Sequence, residues 1–183
     1  MAGVSFDEIG AVAVDTGPGL FTGLRVGVVT AKALAQALRV PMIGVASLDL
    51  LAFPLRHASK LIVPVIDARR GELFYAFYRQ VPGGAQRLSP YHLGTPADLA
   101  SELQATGADC LLVGDGALRY PEVFDDVART EFGSVSNAYP SPSSLVELAH
   151  PRALREEFLP PWELEPLYLR KADAEINWER RAG

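Results

Sequence analysis

The chain has 183 residues, 49% of them hydrophobic and 21% charged, with a formal net charge of −5. That length suits one or two domains, and the composition excludes collagen-like repeats, coiled coil and wholesale disorder. The acidic balance argues against a stand-alone nucleic-acid binder, which carries a basic stripe, but not against an acidic subunit of a larger RNA-processing assembly.

Ile9–Val14 is a short run of β-branched and small apolar residues and reads as a buried strand. Asp15-Thr-Gly-Pro-Gly19 breaks it, and Thr22–Leu38, free of proline and rich in Ala, Leu and Val, reads as a helix capped by Thr22. Met42–Val45 is the next strand, so residues 9–45 form a βαβ unit with a parallel strand pair. Ser47 is placed to cap a short helix to about Leu55. Leu61–Ile66 and Glu72–Tyr78 form a hairpin around Asp67-Ala-Arg-Arg-Gly71. Large apolar groups occur at both parities of its second strand, which predicts a sheet covered on both faces. Val81–Gly84 is a turn, and Gln86–His92 is expected to add a third antiparallel strand. Thr95 caps a helix over 96–105, Leu111–Val113 is a strand, and looser helices follow at 122–128 and 143–150. Leu159-Pro-Pro161 is an extended linker, and Pro166–Leu169 reads as a last strand before the charged tail, residues 170–183.

One cysteine, Cys110, excludes an internal disulfide and a Cys-rich zinc site, and within an apolar run it reads as a small buried hydrophobe. His57, His92 and His150 lie far apart with no ligand spacing, so neither a metal nor a cofactor is expected. The first ten residues lack the apolar core of a secretory signal, and no run approaches the ~18 apolar residues of a membrane span; a cytoplasmic location is expected.

Thr16–Arg25 carries the most information. A Gly-rich turn feeding a helix N-terminus can present free N–H groups to an anion, which makes Gly17, Gly19, Thr22 and Gly23 a candidate anion-binding turn. The same residues also suit a tight turn into a capped helix, and neither the P-loop nor the dinucleotide fingerprint is present. Arg25 opposes the helix dipole, which predicts an anionic partner for it. The helix has a small-residue face (Gly27, Ala31, Ala35, Leu38) and almost no charged face, which suits either a core helix or one shared with a partner chain. Asp67 and Glu72 flank Arg69 and Arg70 and read as a solvated turn with local ion pairs rather than an acid/base pair. The serines of Tyr139–Ser144 lack a nucleophile elbow. No catalytic constellation is evident.

The segment Gly17–Gly27, the later Ala31-Lys-Ala-Leu-Ala35 and Pro41–Leu48, then Ile66–Glu72 and Glu165–Arg170, together resemble the TsaB (YeaZ) family, in the family's order and over about 160 residues. Leu20 is closer to the catalytic paralogue TsaD, whereas Phe21-Thr-Gly-Leu-Arg25 favours TsaB. Where TsaD places a His-x-x-x-His metal pair, this chain reads Val45–Leu51 without histidine. The resemblance implies an α/β, actin-like ATPase (ASKHA, ribonuclease-H-like) fold of two lobes: a partial first lobe over 1–57 and a second over 58–183, with the C-terminal tail packing back on the first. Relatives begin with an additional strand, hairpin and helix, so it also implies a first lobe that is N-terminally incomplete. It implies a non-catalytic scaffold in bacterial tRNA N6-threonylcarbamoyladenosine (t6A37) modification, partnered by a TsaD-like catalytic paralogue and a TsaE-like ATPase and touching tRNA only indirectly. The partner interface then falls on Phe21, Arg25, Val26, Val29, Thr30, Ala31 and Ala35. The alternative is a residual actin-like ATPase or M22-type peptidase homologue acting as a homodimer.

Overall fold

The computed structural model describes residue 3 and residues 5–170. The charged tail therefore lies outside the described residues, apart from Arg170.

The chain opens with strand β1 (Val12–Asp15), helix α1 (Phe21–Leu38) and strand β2 (Met42–Val45). β1 and β2 pair in parallel, from Val12 opposite Met42 to Asp15 opposite Val45, as the βαβ pattern predicts. α1 ends at Arg39, whose left-handed backbone turns its N–H back to the carbonyls of Ala35 and Gln36. At its start the flanking residue is Leu20, with no side-chain cap; Thr22 lies two residues too far in to serve. A second short helix, α2 (Ser47–Ala52), runs into a single 3₁₀ turn at Phe53–Leu55. Ser47 is its first residue rather than its cap, because its hydroxyl is committed to Asp15.

The second sheet is built from β3 (Leu61–Arg69), β4 (Glu72–Tyr75), β5 (Tyr78–Val81), β6 (Gly84–Arg87), β7 (His92–Gly94), β8 (Cys110–Val113) and β9 (Thr130–Phe132). β3 lies at its centre, antiparallel to β4 and β5 and parallel to β8, which in turn pairs with β9. The second hairpin strand is thus broken at Ala76-Phe77. Its first half pairs with β7 and its second with β6. At the break the Phe77 N–H donates to the Ser89 hydroxyl (3.1 Å), and the Leu88 N–H to the Phe77 carbonyl (2.7 Å). The single strand expected over 86–92 is therefore two strands, which leave the bend in different directions. β9 is too short, and too mixed in its exposure, to register in the sequence.

Both faces of this sheet are buried, as the double parity predicts. Leu73, Tyr75 and Phe77 pack with Val63, Val65 and Leu112 and with residues of helices α3 (Pro96–Thr106) and α5 (Pro121–Phe124). Phe74, Ala76 and Tyr78 pack on the other side against Leu48, Leu51 and Ile62. Thr95 caps α3 in a reciprocal box with Asp98. Cys110 is buried in the first of these clusters. Helix α4 (Asp115–Arg119) presses on β3 through two glycines. A Cβ on Gly114 would stand 2.2 Å from the Val65 carbonyl oxygen, and one on Gly116 2.9 Å from the Ile66 carbonyl carbon.

The β1–β2 sheet is also sandwiched. α1 covers one face through Val28 and Ala35, and α6 (Pro142–Leu154) covers the other through Ala149, Leu145 and Leu148. The chain beyond α6 then crosses back. Leu159 exchanges two backbone hydrogen bonds with Met42, at 2.8 and 2.9 Å. Leu164 inserts beside Val14, Val28 and Met42. The Leu167 N–H reaches the Thr16 carbonyl at 2.7 Å, a single hydrogen bond in place of the strand expected at Pro166–Leu169.

Candidate functional site

The Gly-Pro-Gly turn is held by its own residues. Asp15 Oδ1 accepts the Gly17 N–H (2.8 Å) and the Ser47 hydroxyl (2.6 Å). The Thr16 N–H and hydroxyl both donate to the Val45 carbonyl, and the Ser47 N–H donates to the Gly17 carbonyl. Burial pushes the Asp15 carboxyl above the ordinary aspartate range, against the lowering effect of these two donors. Gly17 has φ +94°, and a Cβ there would meet Leu24 Cδ2 at 2.8 Å. Its N–H, named for anion binding, is therefore spent on Asp15, and its lack of a side chain serves packing. Gly19 and Gly23 face open space. Thr22 and Gly23 are exposed in the first turn of α1.

α1 has two apolar faces. Leu24, Val28, Ala31 and Ala35 point at β1 and β2, with Val28 and Ala35 fully buried. Ala35, expected on the partner face, is a core residue of this chain and is closed to a partner. Ala31 sits half-buried at the edge. The opposite face carries Val26 (62% exposed), Val29 (63%) and Thr30, and continues through Ala33, Leu34 and Ala37 without a charge. Phe21 lies outside this face, on the side of Arg25, its ring 5.4 Å from that of Tyr168. Arg25 lies over the Phe21 ring, 4.5 Å from its centroid. Its partner is thus an aromatic face rather than the predicted anion. Leu34 and Tyr168 were missed. Leu34 follows Val26 and Thr30 at helical spacing, whereas nothing in the sequence ties Tyr168 to Phe21.

The remaining motifs are structural. Asp67 is buried rather than solvated. It pairs with Arg69 (3.1 Å) and Arg119 (3.3 Å), while its N–H donates to Asp115. Burial pushes the Asp115 carboxyl up, and the nearby Asp67 adds to the shift. Glu72 pairs instead with Arg170, so Asp67 and Glu72 do not form an acid/base pair. Ser141 caps α6 by accepting the Ser144 N–H. His92 stacks on Tyr75, while His57 and His150 are exposed. Among the described residues, no three His, Cys, Asp or Glu side chains are grouped to hold a metal, and no helix is long and apolar enough to cross a membrane.

A family model described as TsaD, tRNA N6-adenosine threonylcarbamoyltransferase, matches residues 1–178. The tRNA threonylcarbamoyladenosine biosynthesis protein TsaB of Bacillus subtilis is 33% identical over 173 residues, covering 93% of this chain and 74% of that protein. The chain belongs to the TsaB (YeaZ) family. TsaB of Escherichia coli is 26% identical, over all of this chain and 78% of its own length. The solved structure of YeaZ from Pseudomonas aeruginosa superposes with a TM-score of 0.76 at 26% identity, covering 92% of this chain and 78% of that one. A second P. aeruginosa structure, described as similar to peptidase YEAZ, gives the same TM-score at 27% identity. The mixed α/β architecture is that of these YeaZ structures and of the TsaD-like, actin-like fold.

Proposed function

We propose that this chain serves tRNA threonylcarbamoyladenosine biosynthesis as a non-catalytic subunit, docking on a TsaD-like catalytic paralogue through the exposed face of α1. The observation that carries the reading is the second apolar face of α1, where Val26 and Val29 stand in solvent although the helix is already anchored by Val28 and Ala35. An uncharged helical face of this kind is what a helix–helix contact requires, and Gly23, Gly27 and Ala33 allow close approach. The non-catalytic part of the reading is supported by α2. Its Leu48 and Leu51 are core residues, its Ser47 hydroxyl is bound to Asp15, and its one carboxylate, Asp49, accepts from the Tyr78 and Tyr91 hydroxyls, so the segment carries no His pair and its polar groups are already engaged.

The test is light scattering of the chain with its TsaD-like paralogue, comparing the native sequence with a Val26→Glu/Val29→Glu double variant. Both positions are exposed, so the fold should persist by circular dichroism. Burying two unpaired carboxylates should weaken the complex by at least about a hundred-fold. An unchanged complex would remove α1 from the interface. Self-association sensitive to the same pair, with no binding to the paralogue, would favour the homodimer instead.

A further inference from the structure

A cavity of about 320 Å³ opens between two parts of the fold. One wall comes from α2, α6 and the 3₁₀ turn after α2, which includes Phe53 and Leu148. The other comes from the β5–β6 hairpin, with Tyr78 and Arg87. Asp49 and Arg152 complete the polar lining.

Asp49 would ordinarily draw a cation into such a site, but its acceptors are occupied. The Tyr78 hydroxyl donates to Oδ1 at 2.5 Å, and the Tyr91 hydroxyl lies 3.1 Å from both carboxylate oxygens. Burial and the adjacent carboxylate hold both phenols well above the ordinary tyrosine range, so they remain protonated and keep donating. The two guanidinium groups differ in their partners. Arg87 lies over the Tyr91 ring at 3.8 Å and has no ion pair among the described residues. Arg152 donates to the Gly44 carbonyl (2.6 Å) and is ion-paired with Glu157 (3.4 Å). The cavity thus combines an apolar floor with Arg87, a guanidinium without a carboxylate partner among the described residues, beside the ion-paired Arg152 and a carboxylate whose oxygens already accept from two phenols.

We propose that this cavity binds a small organic anion, with its carboxylate or phosphate on Arg87 and Arg152 and a compact apolar body against Phe53 and Leu148. A ligand seated there touches elements of both sheets, so binding also raises the thermal midpoint.

The experiment is calorimetric titration of the whole chain with benzoate, phenyl phosphate, benzamide and inorganic phosphate. Benzoate or phenyl phosphate should bind with a Kd of about 1 mM or tighter. Benzamide, which lacks the charge, and inorganic phosphate, which lacks the body, should each bind at least about ten-fold more weakly than the organic anion. Whichever organic anion binds better identifies the head group. Arg87→Ala, at an exposed position, should keep the circular dichroism spectrum and lose at least about ten-fold in affinity. The proposal is overturned if neither organic anion binds at about 20 mM, if benzamide or inorganic phosphate binds equally well, or if Arg87→Ala leaves affinity unchanged.

Discussion

Replacing Leu164 with alanine probes the irregular segment that follows α6. Leu164 is 1% exposed and packs with Val14, Val28, Ala35 and Met42, although it belongs to neither a helix nor a strand. Removing three side-chain carbons forfeits about 2.4 kcal/mol of transfer free energy, at roughly 0.8 kcal/mol per methylene. A cavity contribution adds to this and depends on how far the site can collapse. Here collapse is restricted, because the segment is tied at Leu159 to Met42 and at Leu167 to Thr16, on either side of the cavity. The expected loss is therefore about 3–4 kcal/mol, read from urea denaturation by linear extrapolation. Trp162→Ala, two residues away and 71% exposed, is the control and should change stability by less than about 0.5 kcal/mol. A loss below about 1 kcal/mol for Leu164→Ala, or an equal loss for Trp162→Ala, would refute the reasoning.

Two further outcomes follow from the buried glycine and the buried carboxylate. Gly114→Ala places a Cβ against the Val65 carbonyl oxygen at φ +110°, where backbone meets backbone and no rotamer change gives relief. It should cost about 3 kcal/mol or more in the same denaturation assay, and a cost under about 1 kcal/mol would mean that α4 can back away from β3. Asp15 has a folded-state pKa above its unfolded value, so its ionised form costs stability. That penalty is absent below the unfolded pKa and is complete once the pH has risen through the folded one. Asp15→Asn keeps an oxygen acceptor for Gly17 and Ser47 without the charge. It should match the native chain near about pH 3 and exceed it near about pH 7; a gap that fails to open with pH would contradict this.

The sequence predicts well wherever one local rule governs the outcome. The β1–α1–β2 unit is legible because a Gly-rich break separates a strand pattern from a helix pattern. The two-faced burial of β4 and β5 follows from Leu73, Tyr75 and Phe77 alternating with Phe74, Ala76 and Tyr78. Prediction fails where a distant residue claims a group that a local rule would use. Ser47 looks like a cap, but Asp15, 32 residues earlier, takes its hydroxyl. Arg25 fails differently: the dipole argument calls for an anion, but a local neighbour one turn earlier, the Phe21 ring, supplies another partner. The candidate interface was half legible. Helical spacing shows that α1 lacks a charged face, but only the packing separates Val26 and Val29, which are free, from Ala35, which is consumed. The bend at Phe77 was hidden because both halves of the strand share one composition.

The crossing of the segment 159–167 over β2 sets the order of sealing against the order of synthesis. Val14 and Met42 leave the ribosome early, while Leu164, which closes over them, is added about 120 residues later. At about 5–20 residues per second that interval is roughly 6–24 s. The parallel pair β1–β2 can form within this time, but its α1-side core stays open to water and to other chains until Leu164 has been made. The β1–β2 unit is therefore completed only after β3–β9 have been made, and a nascent chain stalled before Leu164 leaves Met42 without its cover.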